Sequence, residues 1–84
     1  MKAISINCAG IESEAQLLAL LANDLEFTGF SGENADGLYE SLTGINEETY
    51  ITFFGINDLP FAEGIRATLQ DAETDNIWLN ISLA

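Results

Sequence analysis

The sequence predicts a two-layer α/β domain in which helices cover one face of a three-stranded parallel sheet, in the element order β-α-α-β-α-β. Segments that alternate apolar and polar residues are separated by segments of helical periodicity, and strands joined by helical crossovers pair in parallel. The first and last strands alternate clearly, whereas strands buried on both faces are continuously apolar. Because 84 residues provide room for only one hydrophobic core, we expect a single domain over residues 1–84.

The first strand and the first helix are predicted from periodicity and capping. Residues 3–7 alternate apolar and polar side chains, and Gly10 ends this short strand. Ser13 and Gln16 have the spacing of a capping box, in which side chains accept from amides that the helix leaves unpaired. The helix that follows is strongly apolar, through Ala15, Leu17, Leu18, Leu20, Leu21, Ala22 and Leu25.

A second, shorter helix is expected over residues 35–43. It follows a loop, residues 26–33, that carries two phenylalanines and two glycines. Asn34 is a good N-cap, Asp36 lies favourably near the positive end of the helix dipole, and Gly44 suits the position after the last turn.

The second half of the chain predicts a strand, a helix and a final strand. Residues 49–54 are rich in β-forming side chains, residues 55–58 have turn chemistry, and Pro60 fits a first helical turn. Spacings of four, four and three define one apolar helix face that ends near Glu73, formed by Phe61, Ile65, Leu69 and Ala72. The last strand is predicted from the alternating apolar residues Ile77, Leu79, Ile81 and Leu83.

Fourteen acidic residues against two basic ones give a net charge of −12, and this imbalance excludes several functions. Nucleic-acid binding depends on basic side chains that neutralise phosphates, and only Lys2 and Arg66 are present. There is no histidine, and a lone Cys8 forms neither an internal disulfide nor a cysteine zinc site. We therefore expect no nucleic-acid partner, no metal and no cofactor.

The sequence also predicts no association with a membrane. Ser5 and Asn7 interrupt the apolar run at the start of the chain, so no signal peptide is expected. No stretch of about eighteen apolar residues occurs, and an anionic surface repels anionic lipid headgroups. The expectation is a cytoplasmic protein that is monomeric when free.

The second helix carries an acidic stripe. Asp36 and Glu40 lie about 40° apart on a helical wheel, on the side opposite Leu38 and Leu42, and Glu33 precedes the helix. Two interpretations remain open: a solvated helix face that is acidic by composition, or a surface that meets a basic partner. The charge count weakens the first, because two bases cannot neutralise fourteen acids and self-repulsion of that size opposes compactness.

The burial of the aromatic side chains and of the cysteine is a separate question. Phe27 directly follows the apolar helix and is expected in the core. Phe30 lies between glycines, so a core position and an exposed contact are equally open. Tyr39 lies between the two faces of its helix, either as a partly buried filler or as an interface residue. Trp78 is expected on the opposite sheet face or at an edge, and Cys8 in the core.

No arrangement typical of an enzyme is present. Paired carboxylates hydrolyse glycosides where an apolar cleft raises one pKa, and the polar neighbours of Asp36 and Glu40 indicate solvent instead. The sequence contains no nucleophile–base pair and no phosphate-binding glycine loop with lysine. A phosphopantetheine carrier is one alternative, because Glu40-Ser41-Leu42 resembles the Asp-Ser-Leu motif of acidic carriers. The helix stop directly after this tripeptide and the terminal strand count against it.

The segment from Gly32 to Gly44 carries a more specific motif. It reads Gly-Glu-Asn-Ala-Asp-Gly-Leu-Tyr-Glu-Ser-Leu-Thr-Gly and resembles the barstar family of intracellular ribonuclease inhibitors, whose pattern there is Tyr-Gly-Glu-Asn-Leu-Asp-Ala-Leu-Trp-Asp-X-Leu-Thr-Gly. The matching positions are Gly32, Glu33, Asn34, Asp36, Leu38, Leu42, Thr43 and Gly44. The resemblance extends loosely over the whole chain and implies a two-layer barstar-like fold. The activity it implies is blocking the active site of a basic ribonuclease with carboxylates that take the places of RNA phosphates.

The resemblance also implies partner-binding roles. Asp36 corresponds to an aspartate that faces the nuclease, and Glu40 replaces the family's central aspartate, which places its carboxylate where an RNA phosphate would bind. Tyr39 replaces a tryptophan and keeps an aromatic side chain. Phe30 corresponds to one of two loop tyrosines, whereas Ser31 replaces the other and loses an aromatic contact.

The remaining positions concern the loop, the end of the motif and the long helix. Gly32 and Asn34 keep the loop geometry and the helix cap, and Thr43 and Gly44 complete the motif. Asp71 aligns with a further acidic contact, after a connection that is shorter than in the family. The implied partner is a basic, extracellular-type ribonuclease; an immunity protein against a different secreted nuclease toxin is the alternative.

Overall fold

A computed structural model describes residues 1–84 and confirms the predicted fold class. The chain forms β1 (Lys2–Asn7), α1 (Glu14–Asp24), α2 (Ala35–Thr43), β2 (Thr49–Phe54), α3 (Glu63–Asp75) and β3 (Leu79–Leu83). The strands form one parallel sheet in the order β1-β2-β3, so β2 is central. The longest helix, α3, has 13 residues, and none of the helices has the length and apolar character needed to cross a bilayer.

The predicted N-caps of α1 and α2 are both confirmed. Ser13 Oγ accepts from the amide of Gln16 at 3.1 Å, and Gln16 Oε1 accepts from the amide of Glu12 at 2.8 Å, which closes the capping box. Asn34 Oδ1 accepts from the amide of Gly37 at 2.8 Å. These bonds pair amides that have no partner within the helix, and they set where each helix begins.

The sheet is covered on one face, as the alternation of its strands predicts. Along β2, Thr49, Ile51 and Phe53 are fully buried, whereas Tyr50 and Phe54 point to the other face and are 42% and 47% exposed. The covered face and the three helices share one cluster of buried apolar side chains. That core fixes α2 and α3 side by side on the same side of the sheet.

Asn76 connects the end of α2 to the start of β3. Its side chain is buried, and its Nδ2 donates to the carbonyls of Leu42 and Ile45, both at 2.9 Å. Its Oδ1 accepts from the amide of Trp78 at 2.9 Å. A buried amide of this kind is stabilising only when its polar atoms are paired, and here both ends are.

The outer edge of the sheet carries a side-chain hydrogen bond. Oε2 of Glu73, in α3, accepts from the amide of Ile81 in β3 at 2.5 Å. Because β3 pairs only with β2, this amide faces away from the neighbouring strand. The carboxylate therefore accepts from an amide that an edge strand usually leaves exposed to solvent.

The expectation for Phe27 is wrong, and the question left open for Phe30 is answered. Phe27 is 40% exposed rather than in the core; it lies in a 3-10 turn, and the ammonium of Lys2 is 4.4 Å from its ring centroid. Phe30 is only 4% exposed and belongs to the core, so it does not offer an exposed aromatic contact. Gly29, with a φ of 82°, turns the chain between them, and the second ring rather than the first points inward.

The last helix and strand differ slightly from their predicted bounds. A 3-10 turn over Pro60–Ala62 precedes α3, so Phe61 lies ahead of the helix, and α3 continues to Asp75. Ile77 is 89% exposed and lies outside β3. The reason is the side chain of Asn76, whose bond to the amide two residues later forms a turn before the strand begins.

Cys8 and Trp78 lie where the sequence predicts them. Cys8 is fully buried, and burial raises the pKa of its thiol. Trp78 is 45% exposed and directly precedes the edge strand β3.

Candidate functional site

The loop before α2 is held against α1 by a glycine. Gly32 has a φ of 85°, and a Cβ at this position would lie 3.2 Å from Cβ of Ala22 and 3.3 Å from the carbonyl oxygen of Leu18. A larger side chain would meet both backbone strain and helix α1. Gly32 and the cap Asn34 therefore fix the direction in which α2 leaves the loop, and with it the direction of the acidic stripe.

The acidic stripe on α2 is exposed to solvent, as the helical wheel predicts. Asp36 and Glu40 are exposed, whereas Leu38 and Leu42 on the opposite side of the helix are fully buried. Glu33 is also exposed and accepts a hydrogen bond from Ser31 Oγ, which lowers the pKa of the Glu33 carboxyl. Three carboxylates thus project from the loop and the first two turns of α2.

Helix α3 extends this acidic surface beside α2. The hydroxyl of Tyr39 donates to the carboxylate of Asp75, and Asp71 lies one turn earlier on α3, exposed. We call Asp36, Tyr39, Glu40, Asp71 and Asp75 the acidic face. The charge of Asp71 acts on Tyr39, so Asp71 belongs to this face, and the partner contact that its alignment implied stays a prediction. Asp75 is a member that the sequence reasoning missed, although its spacing of four from Asp71 places both on one side of a helix.

The bond between Tyr39 and Asp75 makes a prediction for alkaline pH. The hydrogen bond to Asp75 is the main cause that raises the pKa of the Tyr39 phenol, and the charges of Asp75 and Asp71 add to it. The protonated phenol is the donor, so the stability from this bond is present below the ordinary tyrosine pKa of about 10 and is lost as pH rises through the higher folded value. We expect Asp75→Asn to lower the pKa of Tyr39 in a spectrophotometric tyrosinate titration.

The control for this titration is the second tyrosine. The charge of Glu48, followed by its hydrogen bond, raises the pKa of Tyr50 independently of α3. Its transition should stay unchanged in Asp75→Asn, and Tyr39→Phe should identify which transition is which. An unchanged Tyr39 transition in Asp75→Asn would contradict the assigned contact.

The remaining motif residues have structural roles in α2. Thr43 Oγ1 donates to the carbonyl of Tyr39 at 2.9 Å, within its own helix. Gly44 follows the last turn, is exposed, and its amide donates to the carbonyl of Glu40. Phe30 is the one predicted contact whose side chain the structure removes from the surface, because its ring fills the core beneath the loop.

A cleft of about 200 Å³ adjoins the acidic face. Phe27 and Thr28 of the loop after α1 form one side, and Glu40, Ser41 and Gly44 at the end of α2 form the other. Glu47, in the connection to β2, also lines it. Sequence reasoning did not find this cleft, because it forms where residues 27–28 meet residues 40–47, two stretches that are separate in sequence.

Both basic side chains have partners other than the carboxylates of α2 and α3. Nη1 of Arg66 donates to the carbonyls of Ile56 and Leu59, at 3.2 and 3.3 Å. Lys2 lies over the ring of Phe27. No group of three or more side chains that could hold a metal ion comes together. The carboxylates of α2 and α3 therefore face solvent without a cation of this chain beside them.

Comparisons with known proteins agree with this arrangement. A family model described as "Barstar (barnase inhibitor)" matches residues 1–76 of the chain. The matched region contains α2, α3 and every residue of the acidic face. No curated protein matches the chain.

Proposed function

Because the chain belongs to the barstar family, whose model covers residues 1–76, we propose that it inhibits a basic ribonuclease by placing the acidic face over the enzyme's active site. The observation that carries the proposal is the exposure of Asp36, Glu40 and Asp71 on two adjacent helices, with no cation of the chain beside them. A parallel α/β sheet also counts against the carrier alternative, since acidic carriers are helical bundles.

The chemistry of the proposed complex is substitution of phosphates by carboxylates. A ribonuclease cleft concentrates cations that bind a polyanion, and the acidic face presents negative charges from a rigid pair of helices. Glu40 lies in the middle of α2, with Asp36 one turn before it, and its carboxylate is the proposed occupant of the central phosphate site. A charge pair at 4 Å is worth about 4 kcal/mol at an effective dielectric near 20, before desolvation is subtracted.

Departures from the family pattern predict which ribonuclease the chain inhibits more tightly. Glutamate at position 40 reaches one methylene further than the family's aspartate and has one more rotor to immobilise on binding. Ser31 is small, and Phe30 is buried, so the loop offers less aromatic surface than two exposed tyrosines would. We therefore expect the chain to inhibit its own cognate ribonuclease more tightly than it inhibits barnase, in parallel activity assays with both enzymes.

The proposal is tested by capture and assay. The immobilised chain is exposed to extract and culture medium of its native source, and the eluate is assayed for RNA cleavage before and after the complex is dissociated. We expect RNase activity that is masked in the complex and titrated stoichiometrically when the chain is added back. The matched column carries the Asp36→Ala/Glu40→Ala variant. Equal RNase activity from both columns, or none from either, would refute the proposal; a captured nuclease that does not cleave RNA would favour the immunity alternative.

The association rate is expected to fall steeply as salt rises. A net charge of −12 attracts a cationic enzyme over distance, and the Debye length shortens from about 10 Å at 0.1 M to about 3 Å at 1 M. Between these concentrations we expect the association rate constant from stopped-flow mixing to drop by about tenfold or more, with a smaller change in the dissociation rate. An association rate that does not depend on salt would contradict electrostatic steering.

A further inference from the structure

The cleft beside Glu40 is a built concavity rather than a flat part of the surface. Its walls come from three segments: the 3-10 turn after α1, the last two turns of α2, and the connection to β2. About 200 Å³ is space for several water molecules, each of which occupies about 30 Å³ in the liquid. A single extended side chain of a partner has the length to enter from the acidic face and displace that water.

The electrostatics of the cleft favour a cation. Glu40 and Glu47 contribute carboxylates from two different walls, and both are exposed. Ser41 and Gly44 bring the C-terminal end of α2 to the cleft, where backbone carbonyls carry partial negative charge. The last turn of α2 contains no basic residue. A helix end and two carboxylates thus act on the same small volume, and the nearby cation of the chain is Lys2, which lies on the ring of Phe27.

The aromatic wall adds a preference for a planar cation. Phe27 is 40% exposed, and the Lys2 ammonium 4.4 Å from its ring centroid shows that this ring already holds a cation within the range of a cation–π contact. Lys2 itself does not line the cleft. A guanidinium stacks on such a ring through its flat face while its edge donates to carboxylates, a combination that an ammonium does not offer.

We propose that the cleft is a binding site for a guanidinium group, and that in the complex it holds one arginine side chain of the ribonuclease, with Glu47 as a specificity-determining partner. The identity of the occupant rests on the proposed function, but recognition of the guanidinium does not. Glu47 lies outside the Gly32–Gly44 motif but within the residues that the family model matches.

The recognition is tested without any nuclease. The isotope-labelled chain is titrated with arginine amide and, in parallel, with citrulline amide, whose side chain has a similar shape but no charge. In NMR spectra we expect saturable shifts at the amides of Phe27, Ser41 and Glu47 with arginine amide only. Glu47→Gln should weaken that binding about three- to fivefold. Phe27→Leu should weaken it as well, because it removes the ring and keeps an apolar side chain.

Glu63→Gln is the matched control, since Glu63 is an exposed glutamate at the far end of α3 from Asp75 and its substitution changes the net charge equally. Its titration should equal that of the wild type. Any of three results would overturn the proposal: equal shifts with citrulline amide, equal weakening in Glu63→Gln and Glu47→Gln, or shifts spread over the whole acidic face.

The capture assay for RNase activity succeeds or fails independently of this titration. If a ribonuclease is captured, Glu47→Gln should weaken its inhibition more than Glu63→Gln does. Equal effects of the two variants would mean that no arginine of the ribonuclease occupies the cleft.

Discussion

Replacing Glu40 with alanine is expected to weaken the complex with the ribonuclease by about 30- to 1000-fold, which corresponds to the roughly 2–4 kcal/mol of a central interface residue. Glu40 occupies the middle of the acidic face and also lines the cleft, so the substitution removes charge from both. Its side chain makes no hydrogen bond that holds the fold, and it is exposed. Inhibition constants for wild type and variant, with unfolding curves that coincide, are the required measurements.

Two further variants separate charge from shape at this position. Glu40→Gln keeps the side-chain length and removes the charge, so it should lose most of the affinity, whereas Glu40→Asp keeps the charge and should retain part of it. Asp36→Ala should weaken the complex less, because Asp36 lies one turn from the centre. Full inhibition by both alanine variants would mean that the acidic face is assigned to the wrong part of the molecule.

Replacing Asn76 with alanine is expected to lower the free energy of unfolding by about 3 kcal/mol. The substitution leaves the carbonyl of Ile45 without its side-chain donor and the amide of Trp78 without its acceptor, whereas the carbonyl of Leu42 keeps the amide of Ile45. An unsatisfied buried polar group costs about 1–3 kcal/mol. A domain of this size has roughly 5–10 kcal/mol in total. The midpoint of thermal unfolding should therefore fall by about 12–24 °C.

An exposed asparagine provides the control for this substitution. Asn46→Ala, in the connection after α2, should change the stability by less than about 0.5 kcal/mol in the same denaturant titration. Asn76→Asp keeps the shape but cannot donate when ionised, and it should destabilise at least as much as alanine. A loss below about 0.5 kcal/mol in Asn76→Ala would show that the three bonds do not hold α2 to β3.

Local signals predicted most of the fold, and nonlocal contacts account for the errors. The capping box, the N-cap at Asn34 and the two-residue alternation of the strands each act within a few residues, and each is present in the structure. The start of β3 was misplaced because Asn76 turns the chain by accepting from the amide of Trp78, and its side chain also donates to carbonyls more than thirty residues away. Which of Phe27 and Phe30 enters the core depends on the backbone at Gly29, and the sequence placed Phe27 wrongly and left Phe30 open.

The candidate site was predictable to a similar extent. A helical wheel places Asp36 and Glu40 opposite buried leucines, and the structure confirms their exposure. Their neighbourhood required the packing of α2 against α3, which brings Asp75 to Tyr39 across 36 residues of sequence. The cleft required residues 27–28 to meet residues 40–47, and no periodicity within either stretch contains that information.

The hydrogen bond between Glu73 and the amide of Ile81 has a consequence for self-association. The open edge of β3 is where a strand from another molecule would add to the sheet, and it would first have to displace a carboxylate that is already bound there. Each approaching copy also carries the same large excess of negative charge. A glutamate on the neighbouring helix thus hinders strand addition at the β3 edge of the sheet.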